Sequence, residues 1–335
     1  GRASFTMRRP ALSDVSYDDT RFRVAGEVTE GKFVNLINDM TLVTNAADIS
    51  VSNDVIRISG YGELDEAPVE FEWSDRFRED GPERSRLKAS GYVGPDLLNR
   101  FGIAVRTYMT GDALAEITAS GPSAVDFQIV SVDLDLEETR LDIPELNWTK
   151  RRGDASSAQV SFRQDTGTNL TRVAFDAEDL KFRGNLALTE EGRLDQLIVD
   201  QFYLEDQLDL AGELRRTGPL ALELVVSGPF MNAEPLTAGL FSGEGGALPI
   251  FGDVDFRAEI DRLRLRRGLE VDDADLHTVF SGPQLVQLDL SGEITGDDEF
   301  LLTVRDDGDG VRNLTAEVSN AGAMFEALMG EQFVQ

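Results

Sequence analysis

The stretch Val125 to Trp148 reads VDFQIVSVDLDLEETRLDIPELNW, and its alternation decides the fold class. Val125, Phe127 and Ile129 alternate with Asp126 and Gln128. After Val130-Ser131 the phase slips, and Val132, Leu134 and Leu136 alternate with Asp133 and Asp135. A period of two places apolar side chains on one face of a strand and carboxylates on the other. Keeping both halves on the same face requires one extra residue, so the pattern predicts a β-bulge at Val130-Ser131.

The same period runs outward in both directions. Phe22 and Val24 alternate with Arg21 and Arg23, and Val69, Phe71 and Trp73 alternate with Glu70 and Glu72. Leu42 to Val51, Asp54 to Leu64 and ten segments between Ala158 and Val318 read as strands, joined by Gly-, Asp- and Asn-rich turns. The charged run Asp75 to Arg86 reads as a solvated loop. Three short helices are predicted: one opening at Pro95 and closing at Gly102, one over Glu234 to Gly243, and one over Asn320 to Gly330. Gly26, Gly60, Gly91, Gly121, Gly184 and Gly212 each read as a glycine following a strand, with spacings that hint at a degenerate repeat.

The expected fold is mainly β: an elongated, curled antiparallel sheet forming a taco-like groove, with a few short helices. Residues 1–90 are its N-terminal part and residues 91–335 the main segment of one continuous body.

Composition narrows the function. Among 335 residues, 32 are Lys or Arg and 62 are Asp or Glu, giving a net charge of −30, which repels nucleic acid and anionic lipid surfaces. With 41% hydrophobic residues the chain carries enough apolar surface to fold. Cysteine is absent, which removes disulfides, thiolate metal sites and a cysteine nucleophile. No apolar run is long enough to span a bilayer, and no apolar segment follows the basic opening GRASFTMRRP. The chain reads as an excised piece of something longer.

Catalytic chemistry finds little support. The only histidine, His277, lies in the alternating DADLHTVF and reads as a strand-face residue. No G-x-S-x-G elbow and no Walker or Rossmann glycine pattern occurs. Paired carboxylates, as in a glycoside-active enzyme, are unspecific in so acidic a chain. The acidic runs Asp306 to Gly310 and Asp272 to Asp275 offer oxygen ligands for calcium, but match no calcium motif and read as hairpin turns. A non-enzyme without cofactor or metal is expected.

Three short helices cannot cover so many apolar strand faces. The sheet must therefore pack as a sandwich or flattened barrel, serve as a closed interaction or solenoid module, or leave a trough whose cover is a ligand. A lipid chain suits such a trough, since each buried methylene contributes about 0.8 kcal/mol.

The segment Val132 to Phe162 resembles the AsmA-like family, in its YhdP-type branch, through Asp133, Leu134, Leu136, Leu141, Pro144, Glu145, Leu146, Trp148, Lys150 and Gly153. Phe256 to Leu276 is similar to that family's strand pair. Ser319 to Leu328 is similar to its helix, with Asn320 where Asp is usual. The resemblance implies a bridge-like lipid transfer protein of the bacterial envelope. Such a protein is periplasmic and anchored in the inner membrane by a segment absent here, and its β-groove conducts phospholipid toward the outer membrane. The partners implied are phospholipid acyl chains, the inner membrane and outer-membrane or envelope proteins, with no nucleic acid. On this basis the acyl chains are expected against Phe127, Ile129, Val132, Leu134, Leu136, Phe182, Leu186, Leu222, Leu224, Val226, Leu288 and Leu290. Trp73 and Trp148 are expected as packing anchors.

Overall fold

A computed structural model describes residues 1–11, 19–34, 41–100, 105–124, 126–165, 168–189, 194–234, 252–265, 268–282, 284–294, 298–306 and 312–319. Among the described residues the chain is mainly β, 74% strand and 5% helical, and nineteen of the described strands belong to a large curled sheet that does not close into a barrel. It divides into two compact units, Gly1–Glu178 and Asp179–Gln335. The division falls inside the expected 91–335 segment; residues 90 and 91 lie mid-strand.

The first unit contributes β1 (Arg2–Arg8), β2 (Arg21–Phe33), β3 (Leu42–Ser52), β4 (Val55–Leu64), β5 (Ala67–Arg76), β6 (Ser85–Val93), β8 (Ala113–Gly121), β9 (Ile129–Asp135), β12 (Ser156–Asp165) and β13 (Thr168–Ala177) to the large sheet. Each pairs antiparallel with the next in that order. A helix, α1 (Pro95–Arg100), follows β6, and β7 (Met109–Thr110), β10 (Arg140–Ile143) and β11 (Trp148–Lys150) form a separate three-stranded sheet. The helix is where Pro95 and Asp96 place its start, and Leu97 and Leu98 are its buried face.

The second unit runs through β14 (Leu180–Leu188), β15 (Leu194–Leu204), β16 (Leu208–Arg216), β17 (Ala221–Asn232), β18 (Asp253–Arg264), β19 (Glu270–Ser281), β20 (Gln284–Ile294), β21 (Asp298–Asp306) and β22 (Arg312–Val318). All neighbours pair antiparallel except β17 and β18, which are parallel. That departs from the expected all-antiparallel meander. Two of the expected helices, Glu234 to Gly243 and Asn320 to Gly330, fall almost entirely outside the described residues.

The bulge expected at Val130-Ser131 does not form. The ladders of β9 with β8 and with β12 run from Ile129 to Leu134 without a shift. The phase slip instead marks the change from a turn to a strand. Ser123 bridges Asp126, the Gln128 amide donates to the Ser120 carbonyl, and β9 begins only at Ile129. Ile129 therefore shares a face with Ser131 and Asp133, and Val130 joins Val132 and Leu134.

The six recurrent glycines sit within strands rather than after them. All lie on the face that carries the apolar residues, here called the inner face. A Cβ at Gly91 would stand 2.3 Å from the Pro68 carbonyl oxygen, and one at Gly60 2.6 Å from that of Ala46. Backbones this close on the inner side mean that the sheet bends toward it, and at Gly60 the space of a side chain is taken up by Ala47, whose Cα and Cβ would lie 3.0 and 3.1 Å from an added Cβ.

Candidate functional site

Strand register turns the alternating sequence into continuous apolar rows. In the first unit one row runs Val28, Ala47, Gly60, Phe71, Ala89, Ile117, Val132, Val160, Val173, each paired with the next. A parallel row, offset by two residues, runs Gly26, Ile49, Ile58, Trp73, Leu87, Ala119, Val130, Phe162, Thr171. The opposite, outer face is charged along the same strands, from Asp48 through Glu72 to Asp133.

Protein covers part of this inner face. Val132, Leu134 and Leu136 are buried, Val132 at 1% exposure. Met109, Leu141 and Trp148 of the small sheet and Leu97 and Leu98 of α1 are buried as well. Trp148 meets Phe175 of β13 edge to face at 5.8 Å, as expected of a packing anchor. Trp73 is also a packing residue, half-buried, with its indole N–H donating to Ser85 Oγ at 2.9 Å. Arg100, at the end of α1, pairs with Asp65 in the β4–β5 turn.

The small sheet is fastened by a buried cation. Lys150 is 3% exposed, and its ammonium donates to the carbonyl oxygens of Leu136 (2.7 Å), Thr139 (2.9 Å), Arg151 (3.1 Å) and Glu137 (3.3 Å). Burial pulls its pKa below the usual lysine value, while Asp154, Glu137, Asp135 and Glu138 pull it back up. The Thr139 hydroxyl donates to Leu136 O at 2.7 Å, and the Gly153 amide to Glu137 O at 2.8 Å. The Pro-Glu-Leu-Asn-Trp-Thr-Lys segment thus makes a 3-10 turn over Pro144–Leu146 and then delivers Lys150 into this cage.

In the second unit one row runs Leu186, Leu197, Leu214, Leu224, Phe256, Thr278, Leu288, Val304, Leu314. The next runs Gly184, Val199, Gly212, Val226, Ala258, Leu276, Leu290, Leu302, Ala316. Burial is uneven along them. From β18 to β21 the inner residues Ala258, Ile260, Leu263, Val271, Leu288, Leu290 and Phe300 form a buried core. From β14 to β17, Phe182, Leu186, Leu197, Leu214, Leu222 and Leu224 are only half-buried.

Of the expected contact residues, Phe182, Leu186, Leu222 and Leu224 therefore line the half-buried part of the second unit, Val226 packs against its core, and Leu288 and Leu290 lie within that core. Val132, Leu134 and Leu136 share the inner side of the first unit. Ile129 lies on the opposite face, for the register reason given above. Phe127 precedes β9 and belongs to no strand. Leu197, Leu214 and Phe256 were not singled out from sequence, although each completes a row. Their alternation was visible, but pairing across strands is what joins them to Leu186 and Leu224.

His277 sits half-buried on the outer face, its Nε2 3.1 Å from Asp255 Oδ1, in a polar ladder that includes Arg257, Asp289 and Arg305. Burial pushes the Asp289 carboxyl up, but hydrogen bonds from Arg305 and Gln287 outweigh it and hold the group below its ordinary range. With the folded pKa below the unfolded one, its stabilisation is present above the unfolded value and lost as pH falls through the folded one. Asp289→Asn is expected to destabilise the chain at neutral pH by less than about 1 kcal/mol and to flatten the acid limb of the stability profile. Urea unfolding at neutral and acidic pH checks this; identical pH slopes for the two proteins would refute it.

Residues Asp272 to Asp275 lie within β19 rather than in a turn, with Asp273 at φ 47° where the ladder to β20 shifts register. Four of the five residues of the other acidic run, 307–310, are outside the described residues. Among the described residues no group of three His, Cys, Asp or Glu is placed to hold a metal ion, and no helix is long and apolar enough to cross a membrane. No family model, no curated protein and no solved structure matches the chain.

Proposed function

We propose that this chain is a lipid-binding segment of a bridge-like transfer protein, non-enzymatic, whose curled sheet holds phospholipid acyl chains against its inner face. One observation carries the reading: from β14 to β17 the inner face presents an apolar row, Leu186, Leu197, Leu214 and Leu224, that is only half-buried. Apolar residues aligned across strands and only partly covered mark a surface that takes an apolar ligand. A sixteen-carbon chain fully withdrawn from water gains roughly 12 kcal/mol, and a chain half-covered in an open trough about half of that.

The resemblance of Val132 to Phe162 supplies the setting: a periplasmic body, tethered to the inner membrane elsewhere in the protein, passing phospholipid toward the outer membrane. The −30 charge supports a body held off anionic bilayers, with contact made at its ends. A closed structural module is the second reading. It is favoured by the first unit, where α1 and the small sheet accompany a buried inner face around Val132 and Leu134.

Two substitutions separate these readings. Leu224 is only half-buried, so Leu224→Asp is expected to leave the fold intact and to lower co-purifying phospholipid, read by native mass spectrometry, about tenfold or more. Leu134, at 5% exposure, is core, and Leu134→Asp is expected to unfold the first unit instead. Wild-type protein that carries no phospholipid after gentle extraction would overturn the lipid reading and leave the structural module.

A further inference from the structure

A sheet that does not close keeps two edges, and here they are β1 and β22. Among the described residues no strand pairs with the far side of either one. All 7 residues of β1 are exposed, and so are Asn313, Leu314, Thr315 and Glu317 of β22. The apolar rows of the inner face break off at these strands, leaving Phe5 64%, Met7 57% and Leu314 50% exposed. Neither Ala3 to Met7 nor Asn313 to Ala316 contains the charge, proline or glycine that blunts an edge against further pairing.

Charge selects the occupant. Residues 1–11 hold Arg2, Arg8 and Arg9 and no acidic residue, in a chain whose net charge is −30. Two copies joined β1 to β1 in antiparallel would set Arg2 opposite Arg8 at both ends of the ladder, like charges directly opposed. The β22 edge is the complement. Its outer face carries Glu317, with exposed Glu299 on the neighbouring β21, and β21 ends at Asp306 beside the start of β22.

Laid antiparallel with Phe5 opposite Leu314, β1 of one copy and β22 of another match along their length. Arg2 meets Glu317, Ala3 meets Ala316, Ser4 meets Thr315 and Thr6 meets Asn313, while Arg8 and Arg9 run toward Asp306. Every pair keeps apolar face with apolar face, since Phe5 shares the face of Val24 and Leu314 that of Val304. We propose that copies of this chain associate head to tail, the β1 edge of one adding to the β22 edge of the next, so that the sheet and its apolar rows continue from copy to copy. Two different edges meet, so the contact is heterologous, and it does not depend on lipid binding.

Sedimentation velocity of the intact chain from about 1 to 100 μM, in about 0.15 M salt to screen repulsion between acidic copies, is expected to show oligomers that grow with concentration. Phe5→Asp and Leu314→Asp each put a carboxylate on an exposed position of one edge, and each alone is expected to weaken self-association about tenfold or more. Mixed one to one, the two variants are expected to form a dimer and nothing larger, because each still offers the edge that the other lacks. Deuterium exchange on the wild type reads the contact without any substitution: amides of both β1 and β22 gain protection as concentration rises. The proposal is overturned if the wild type stays monomeric, which leaves the two edges to strands of another protein, or if the mixed variants do. It is overturned too if either variant alone associates as the wild type does, the mark of a contact between like edges, or if protection rises in only one of the two strands.

Discussion

Replacing Lys150 by methionine is expected to lower the unfolding free energy of the first unit by about 2–5 kcal/mol, the cost of leaving two buried carbonyls without their charged donor. Methionine fills a similar volume, so the loss comes from hydrogen bonds and not from a cavity. Four carbonyls lose a charged donor, and those of Leu136 and Thr139 stay buried without it. The consequence reaches the inner face, because the same cage sets where β10 and β11 present Leu141 and Trp148. Arginine does not rescue it, since a planar fork cannot replace a compact ammonium among four converging oxygens. Both tryptophans, Trp73 and Trp148, belong to the first unit, so their fluorescence during urea unfolding reads that unit alone. Lys88→Met, on the outer face of β6, serves as the control and is expected to change little. A loss below about 1 kcal/mol for Lys150→Met would show that water substitutes for the ammonium and that the cage is not a fastening.

Gly91→Ala is the second large effect. Its Cβ would stand 2.3 Å from the Pro68 carbonyl oxygen and 3.2 Å from Val69, and the first of these contacts is with backbone, which cannot rotate away. β5 and β6 must separate or the sheet must flatten, and we expect about 1–3 kcal/mol or more of destabilisation. Alanine would gain up to about 1 kcal/mol over glycine in an unstrained strand, so a net loss isolates the steric term. Gly212→Ala should behave alike in the second unit, where its Cβ would lie 2.4 Å from the Val225 carbonyl. Ser90→Ala, one residue away on the outer face, is expected to be nearly neutral. Thermal denaturation of the three variants decides the matter. Equal midpoints for Gly91→Ala and wild type would mean that close strand approach is incidental to the bend.

Much of this was readable before any coordinates. Alternation placed the strands around Phe22, Leu42, Phe71, Val132, Leu224 and Leu288 and assigned their faces, because a period of two needs no partner to be recognised. Pro95 and Asp96 announced α1 through local backbone chemistry. Where the signal was short or mixed, reading failed. β1, a strand with every residue exposed, carries no buried face to betray it. β7, β10 and β11 are two to four residues long, too short for any period. Ile129 was assigned to the wrong face because a turn and a bulge both shift phase by one residue, and only the partner strands distinguish them.

The lysine cage lay deeper still. Lys150 could be quoted as part of a motif, yet nothing in Trp-Thr-Lys states that four carbonyls from two loops converge on its ammonium. Sequence by itself determined that this is a β protein with one oily and one acidic strand face, since each residue's side follows from its parity along its own chain. Tertiary structure alone decided which strands are neighbours and in what register. Hydrogen-bonded ladders join residues tens of positions apart, and those pairings choose where the apolar rows stay open, where they are sealed, and which polar groups meet.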